Sequence, residues 1–325
     1  MVMLTVTHTP GRHCGSTGIQ SLLAFHNIRL TEAMCFGLGA GLGLWYINDS
    51  TLPASRMVHV RSADLEAQFF NRVLGEFSWE QFDDPQKSRQ ALCERLDAGR
   101  PAIILTDIFY LPYYKSSTHF PGHLIAVWGY DPREKVFFVT DTEREDVQSV
   151  PFDNMDKARF SGGGIFNLSG NMFAPDCLTL PENLSPVIKK AIADNSRALL
   201  NDNMPIQGVR ALETWEEELK QWHALEDWQW TARLAYQVIE KRGTGGGGFR
   251  LMYEEFLREA GGVVPEINAL KLPDLMAACA AAWTDLAMAL KAASENSAPD
   301  FEETARMVAR AKKAEDVYHQ TAVKI

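Results

Sequence analysis

Cys14 is the residue of this sequence best placed for nucleophilic chemistry. It directly precedes a stretch in which Ile19, Leu22 and Leu23 recur at helical spacing, and this spacing predicts a helix over residues 15–27 with Cys14 at or next to its N-cap. A thiol there lies at the positive end of the helix dipole, which favours the thiolate, the form that attacks carbonyl carbon. The alternative is a small buried residue with a structural role, as most cysteines are.

A histidine and an aspartate on two neighbouring strands can supply a base for that thiol. The pattern of residues 122–142 predicts two antiparallel strands joined by a polar turn. If Tyr130 pairs with Val136, His123 becomes a diagonal neighbour of Asp141 on the same face, within side-chain reach. An imidazole oriented by a carboxylate, together with a thiol, forms the usual activated nucleophile.

This interpretation depends on the strand register. A slip of one residue would send His123 and Asp141 to opposite faces of the sheet. The alternative interpretation is structural: His123 is a satisfied core histidine at a strand end, and Asp141 begins the turn after its strand.

The hydrophobic pattern changes near residue 175. Apolar runs rich in β-branched and aromatic residues predict strands at 101–109, 123–130 and 136–142, and helical spacing predicts helices at 64–76 and 85–98. After residue 180 only helical stripes remain, and the proline-containing segment 174–186 is typical of a linker. The sequence therefore predicts an α+β protein with one domain at residues 1–175 and an all-helical domain at 176–325.

Composition narrows the function classes. The 325 residues are 46% hydrophobic and carry a net charge of −10, which argues against nucleic-acid binding because phosphate contacts need a basic stripe. The first residues lack a signal-peptide pattern and no apolar run of about 18 residues occurs, so we expect a cytoplasmic protein without a membrane segment. Five scattered cysteines predict reduced thiols. His119 and His123 are four residues apart, but Pro121 and Gly122 between them break any helix that would direct both side chains at one metal ion, so we expect no metal site there.

Three stretches of the sequence resemble a known family. They are RHCGSTGIQSLLAFHNIRLTEAMCFGLGAGLGLWY, HFPGHLIAVWGYD and VFFVTDT. They look like the N-terminal domain of butirosin biosynthesis protein H and its relatives, which is similar to papain-like cysteine peptidases of the bacteriocin-processing type. The stretch VIEKRGTGGGGFRLMYEEFLREA resembles the domain of unknown function that commonly follows, so the resemblance covers almost the whole chain.

The resemblance implies a papain-like cysteine-peptidase-type fold for the N-terminal domain, with Cys14 as nucleophile, His123 as base and Asp141 as orienting carboxylate. One position departs from the peptidase pattern. The peptidase relatives carry a glutamine six residues before the cysteine as oxyanion donor, and this sequence has His8 there. His8 and the backbone N–H of Cys14 are the candidate oxyanion donors; otherwise His8 is an ordinary polar residue near a strand end.

Glycines and arginines provide further candidate binding residues. Gly39 and Gly41, in the run GLGAGLG, allow either tight backbone packing or close approach of a ligand such as a phosphopantetheine arm. Arg242 and Arg250 flank a glycine-rich connector and can form a basic patch for an acidic carrier protein or a phosphate. The alternative is that these charges are solvated residues beside a loop.

The resemblance implies transfer of an acyl group from a carrier-protein or pantetheine thioester, through an acyl-enzyme on Cys14, to a small-molecule amine. The donor would be linked to phosphopantetheine, and no tightly bound cofactor or metal is expected. One alternative is a cysteine hydrolase of amidase or peptidase type that uses the same triad with water as acceptor. Another is a non-catalytic binding protein of a biosynthetic complex. The apolar faces of the helical domain also allow an oligomer.

Overall fold

The computed structural model describes residues 1–50, 52, 54–163, 167–201 and 203–325. The strands are β1 (Val2–Met3), β2 (Leu42–Asn48), β3 (Arg56–Arg61), β4 (Ala102–Asp107), β5 (Pro121–Asp131), β6 (Val136–Thr140), β7 (Gln148–Pro151) and β8 (Met172–Phe173). The helices are α1 (Cys14–Phe25), α2 (Glu32–Leu38), α3 (Leu65–Leu74), α4 (Pro85–Asp97), α5 (Phe152–Arg159), α6 (Ser185–Leu200), α7 (Arg210–Leu219), α8 (Trp228–Glu240), α9 (Arg250–Ala260), α10 (Pro265–Ala269), α11 (Leu272–Glu295) and α12 (Phe301–Ala322).

The chain divides into two compact units. The first contains residues 1–35 and 73–181, and the second contains residues 36–72 and 182–325. The last crossing between units, after Pro181, lies near the predicted boundary at 175/176. Residues 36–72 differ from the prediction, because they group with the C-terminal helices rather than with the N-terminal domain.

A single antiparallel sheet organises the first unit. Its strand order is β7-β6-β5-β4-β8, and β1 pairs with the end of β5. The predicted strands correspond to β4, β5 and β6, and the helix predicted at 85–98 corresponds to α4, so these predictions are confirmed. Asp84 caps α4 by accepting a hydrogen bond from the N–H of Lys87 at 2.8 Å, and Pro85 occupies the first turn.

The two faces of this sheet are covered by different helices. On one face, α4 and α5 pack on a core of alternating strand residues that includes Ile104, Ile125 and Val139. The side chains of Ile103 and Leu124 point the other way, as the period of two in a strand requires. They lie against α1 at Gly18, where an added Cβ would be 2.0 Å from the Leu124 side chain. The N-terminus of α1 is thereby fixed relative to the sheet.

The second unit combines the helices α6–α12 with the β2–β3 hairpin. The elements after residue 180 are helices, as the sequence predicts, and the strands of this unit come from residues 42–61. The hairpin is paired antiparallel, for example Asn48 with Arg56. It packs on the helices through apolar residues of both strands, and Tyr46 stacks on Trp215 with ring centroids 6.0 Å apart. Periodicity after residue 180 could not reveal this hairpin, because its residues precede that point in the chain.

Helix α11 is long and apolar enough to cross a membrane by length and composition, and it is the one such helix in the described part of the chain. In the structure it packs against α8, α9 and α12. It buries Met276, Cys279 and Trp283 among them. This is the environment of a core helix in a helical unit.

We predict that Gly129→Ala destabilises the first unit. The new Cβ would lie 2.3 Å from the backbone carbonyl oxygen of Val2, in the β1–β5 pair, so the strand must shift. Overpacking of this kind costs about 1–3 kcal/mol, measurable by urea unfolding. Gly162→Ala is the control, since the nearest atom to its new Cβ is 3.2 Å away. Equal stability of the two variants would contradict the described pairing.

Candidate active site

Cys14 is the first residue of α1, as the sequence predicts. The preceding residue, His13, is the N-cap with extended backbone angles, and its Nδ1 accepts a hydrogen bond from the N–H of Ser16 at 3.2 Å. The thiol is partly exposed. It lines a narrow crevice with His8 and Thr142, among other residues. The helix start therefore presents the sulfur at the end of the sheet where β5 begins.

The register of the β5–β6 ladder differs from the prediction at the turn and agrees with it at the site. Tyr130 pairs with Phe137 rather than with Val136, so the assumed pairing is wrong. A bulge at Trp128 then shifts the register by one residue, and Ala126 pairs with Thr140 as predicted. The indole N–H of Trp128 donates to the Thr140 hydroxyl at 2.8 Å, which holds the bulge in place.

His123 and Asp141 are brought together by this ladder. Nε2 of His123 lies 2.8 Å from Oδ1 of Asp141, and both side chains are buried. Burial acts to lower the pKa of His123, but the negative charge and hydrogen bond of Asp141 outweigh it and raise the pKa to about 10. A side-chain hydrogen bond joins His123 to Cys14. Since Nε2 is directed to Asp141, Nδ1 is the nitrogen left for the sulfur.

The carboxylate of Asp141 is held by further donors that the sequence patterns did not identify. The Tyr113 hydroxyl donates to Oδ2 at 2.7 Å, the Tyr114 hydroxyl to Oδ1 at 3.3 Å, and the Thr142 hydroxyl to Oδ1 at 2.9 Å. Burial alone would raise the pKa of Asp141, but His123 and these hydrogen bonds lower it. The carboxylate is therefore charged and fixed in orientation.

Tyr113 and Tyr114 are themselves positioned by Arg144. Its guanidinium carbon lies 4.9 Å and 5.0 Å from the centres of the two rings, a cation–π geometry. The Tyr114 hydroxyl is also 3.3 Å from Nε2 of His123. The local signal for them in the sequence is a pair of adjacent tyrosines upstream of His123, and this signal does not indicate where either side chain points.

His8 lies beside Cys14 in the crevice, but both of its ring nitrogens have other partners. Nε2 is 3.1 Å from the carbonyl oxygen of Arg144, and Nδ1 is 3.1 Å from the hydroxyl of Ser21. Burial lowers the pKa of His8, which favours the neutral ring with its one N–H directed to the Arg144 carbonyl. An oxyanion role for His8 stays a prediction, and it would require that hydrogen bond to break.

Arg250 is placed differently from the expectation. It is fully buried in the second unit, where Nε donates to Glu315 at 2.7 Å and Nη1 to the carbonyl oxygen of Val60 at 3.1 Å. The expectation that it belongs to an exposed basic patch is wrong, because a guanidinium can be buried when it is paired with a carboxylate, here that of Glu315. Arg242 is exposed and bonds to Gln237.

Gly39 and Gly41 are buried in the second unit. An added Cβ at Gly41 would lie 2.6 Å from the ring of Phe36. This position fits the packing interpretation, and a role in substrate binding stays a prediction. Among the described residues, no group of three or more His, Cys, Asp or Glu side chains is arranged to hold a metal ion.

Two family models match the chain. The model described as Butirosin biosynthesis protein H, N-terminal, matches residues 13–142, and the model described as Domain of unknown function (DUF4872) matches residues 153–322. The chain belongs to the butirosin biosynthesis protein H-like family. The family is one of secondary-metabolite biosynthesis. Cys14, His123 and Asp141 all lie within the first match. No curated protein matches the chain.

The raised pKa of His123 predicts a pH dependence of stability. In a Cys14→Ala background, where no neighbouring thiol titrates, the folded protein keeps a proton on His123 above about pH 6.5 that the unfolded chain loses, so the free energy of unfolding should fall as pH rises from about 6.5 toward 10. Adding His123→Gln to this background should flatten the decline. The measurement is urea unfolding from pH 6 to 10, with His223→Gln, at an exposed histidine, as control. An unchanged slope in His123→Gln would contradict the described ion pair.

The two tyrosines should differ in their contribution to stability. Tyr113→Phe removes a 2.7 Å hydrogen bond to the charged Asp141, whereas Tyr114→Phe removes a longer one of 3.3 Å. We expect Tyr113→Phe to lower the free energy of unfolding by about 1–2 kcal/mol, and Tyr114→Phe to lower it by less. Urea unfolding at pH 7 measures both, and the reverse order would contradict the geometry of the site.

Proposed function

We propose that the chain is a cysteine-dependent acyltransferase of secondary-metabolite biosynthesis, with a papain-like arrangement in its first unit. The observation that carries the proposal is the imidazole of His123, which binds buried Asp141 through Nε2 at 2.8 Å and hydrogen-bonds Cys14. A thiol at a helix start, a base on a strand and an orienting carboxylate after the next strand are the parts of a cysteine nucleophile.

In the first step, Cys14 acts as a thiolate paired with the imidazolium of His123. The sulfur attacks the thioester carbonyl carbon of the donor, and the tetrahedral intermediate expels the pantetheine sulfur, which takes the proton of His123. The products are an acyl-enzyme, a neutral imidazole and a free pantetheine thiol. Thiol–thioester exchange replaces one thioester with another, so the step needs little driving force.

In the second step, an amine attacks the acyl-enzyme carbonyl carbon and His123 takes its proton. Expulsion of the Cys14 sulfur gives the amide and restores the thiolate–imidazolium pair. Asp141, held by Tyr113, keeps the imidazole in one orientation through both steps. The backbone N–H of Cys14 is the candidate oxyanion donor. The proposal needs no metal or tightly bound cofactor, and its partners are a carrier-protein or pantetheine thioester and an amine, in the cytoplasm.

The test is intact-mass spectrometry after incubation with a panel of acyl-carrier-protein and acyl-pantetheine thioesters. We expect an acyl adduct on the wild type, none on Cys14→Ala, and at least a tenfold slower adduct on His123→Ala. Cys93→Ala is the matched control, because Cys93 is also partly exposed in the first unit but its burial raises the pKa of the thiol to about 11. No adduct on folded wild-type protein with any donor would contradict the proposal.

The acceptor then separates transfer from hydrolysis. Addition of a panel of small-molecule amines to the acyl-enzyme should give an amide. The mass of the unmodified enzyme should then return faster than it does in buffer alone. Release at the same rate with and without every amine would favour the cysteine hydrolase over the transferase.

A further inference from the structure

Glu32 lies at the N-terminus of α1, although it belongs to α2. Its Oε1 accepts hydrogen bonds from the backbone N–H groups of Arg12 and His13, each at 2.8 Å, and its Oε2 lies 3.5 Å from Nε of Arg12. The side chain is only 11% exposed. The carboxylate therefore binds the two residues that immediately precede the nucleophile.

The same oxygen also contacts the residues that follow the nucleophile. The hydroxyls of Ser16 and Thr17 lie 3.2 Å and 3.1 Å from Oε1 of Glu32. An added Cβ at Gly11 would be 2.1 Å from the Thr17 hydroxyl and 3.0 Å from the Glu32 carboxylate, so only glycine fits beside this contact. One carboxylate thus bridges both sides of Cys14.

Successive backbone N–H groups at a helix start form an anion-binding concavity. In this chain the N–H groups of Arg12 and His13, in the turn that leads into α1, form such a concavity, and the carboxylate of Glu32 fills it. A nearby negative charge disfavours a thiolate, so Glu32, which is bonded to residues on both sides of Cys14, opposes the helix dipole that the sequence pattern predicts to activate Cys14.

Other charged groups near Cys14 act in both directions. His123 on β5 favours the thiolate, and Arg12, already paired with Glu32, does so more weakly. Asp141 after β6 opposes it, and the Tyr114 hydroxyl adds no charge while protonated. Burial lowers the pKa of His8, so this ring is neutral and adds no charge beside the thiol. The strongest favourable partner of the thiolate is therefore the imidazolium.

We propose that Glu32 is a positioning residue that fixes the backbone on both sides of Cys14 and confines its thiolate to the ion pair with His123. This inference rests on Cys14 being the nucleophile of the proposed function. It adds that the helix N-terminus by itself does not activate the thiol, so that thiolate formation depends on the imidazolium.

The test follows alkylation of Cys14 by iodoacetamide between pH 4 and 10, with the site of modification read by mass spectrometry. Glu32→Gln keeps an oxygen acceptor but removes the charge. We expect the pH midpoint of alkylation to fall by about one unit relative to wild type. Glu80→Gln, which removes a carboxylate paired with Arg95 elsewhere in the first unit, should leave the midpoint unchanged.

A second variant keeps the test decisive if Glu32→Gln does not fold. His123→Ala combined with Asp141→Asn removes both charges of the catalytic pair and leaves Glu32 in place. We expect the Cys14 midpoint in this variant to lie above the ordinary thiol value of about 8.5, because Glu32 cancels the helix dipole. A midpoint below that value would overturn the proposal.

Chemical rescue tests the positioning role separately. In Glu32→Ala the emptied concavity should accept a small carboxylate, so 100 mM formate should slow alkylation at pH 6 at least threefold, and the same salt should not affect the wild type. An unchanged or raised midpoint in Glu32→Gln, or no effect of formate on folded Glu32→Ala, would overturn the proposal. Alkylation needs no acyl donor, so failure here is distinct from failure to form an acyl adduct.

Discussion

The contact between His123 and Asp141 is the interaction on which the candidate site depends. The two residues lie on different strands, and a change of one residue in strand register would separate them. The bulge at Trp128 sets that register, and its indole N–H is bonded to Thr140, the residue directly before Asp141. The pairing of β1 with Gly129 lies next to the same bulge. A few contacts near the C-terminal end of β5 therefore set the geometry at its N-terminal end, where His123 lies.

The sequence predicts much of this site because its main elements have strong local patterns. Apolar spacing after Cys14 identifies α1, and β-branched runs identify β5 and β6. The predicted pairing of Tyr130 with Val136 is wrong at the turn, but the predicted pairing of Ala126 with Thr140 is correct near the site. The bulge at Trp128 accounts for the difference, because it shifts the register by one residue between these two positions. The bulge could not be predicted because residues 123–129 are all buried, so β5 has no alternation of apolar and polar residues whose phase a bulge would shift.

Other parts of the site could not be predicted from local patterns. Tyr113 and Tyr114 lie in an irregular segment between β4 and β5, where no periodicity indicates the direction of a side chain. Glu32 contacts Arg12 across 20 residues, and Arg250 contacts Glu315 across 65. Charged side chains are expected at the surface, so the sequence by itself predicts an exposed Arg250. Its burial depends on a partner that only the folded unit brings near.

The division of the chain has a consequence for how such a protein can be cut. Residues 36–72 lie between two segments of the first unit, and their hairpin packs on α6, α7 and α8 of the second. A stop codon after residue 181 would leave Leu44, Tyr46 and Val58, which are buried in the whole chain, without the helices that cover them. Truncation at this linker would therefore yield an aggregation-prone fragment with an exposed apolar hairpin rather than a free catalytic domain.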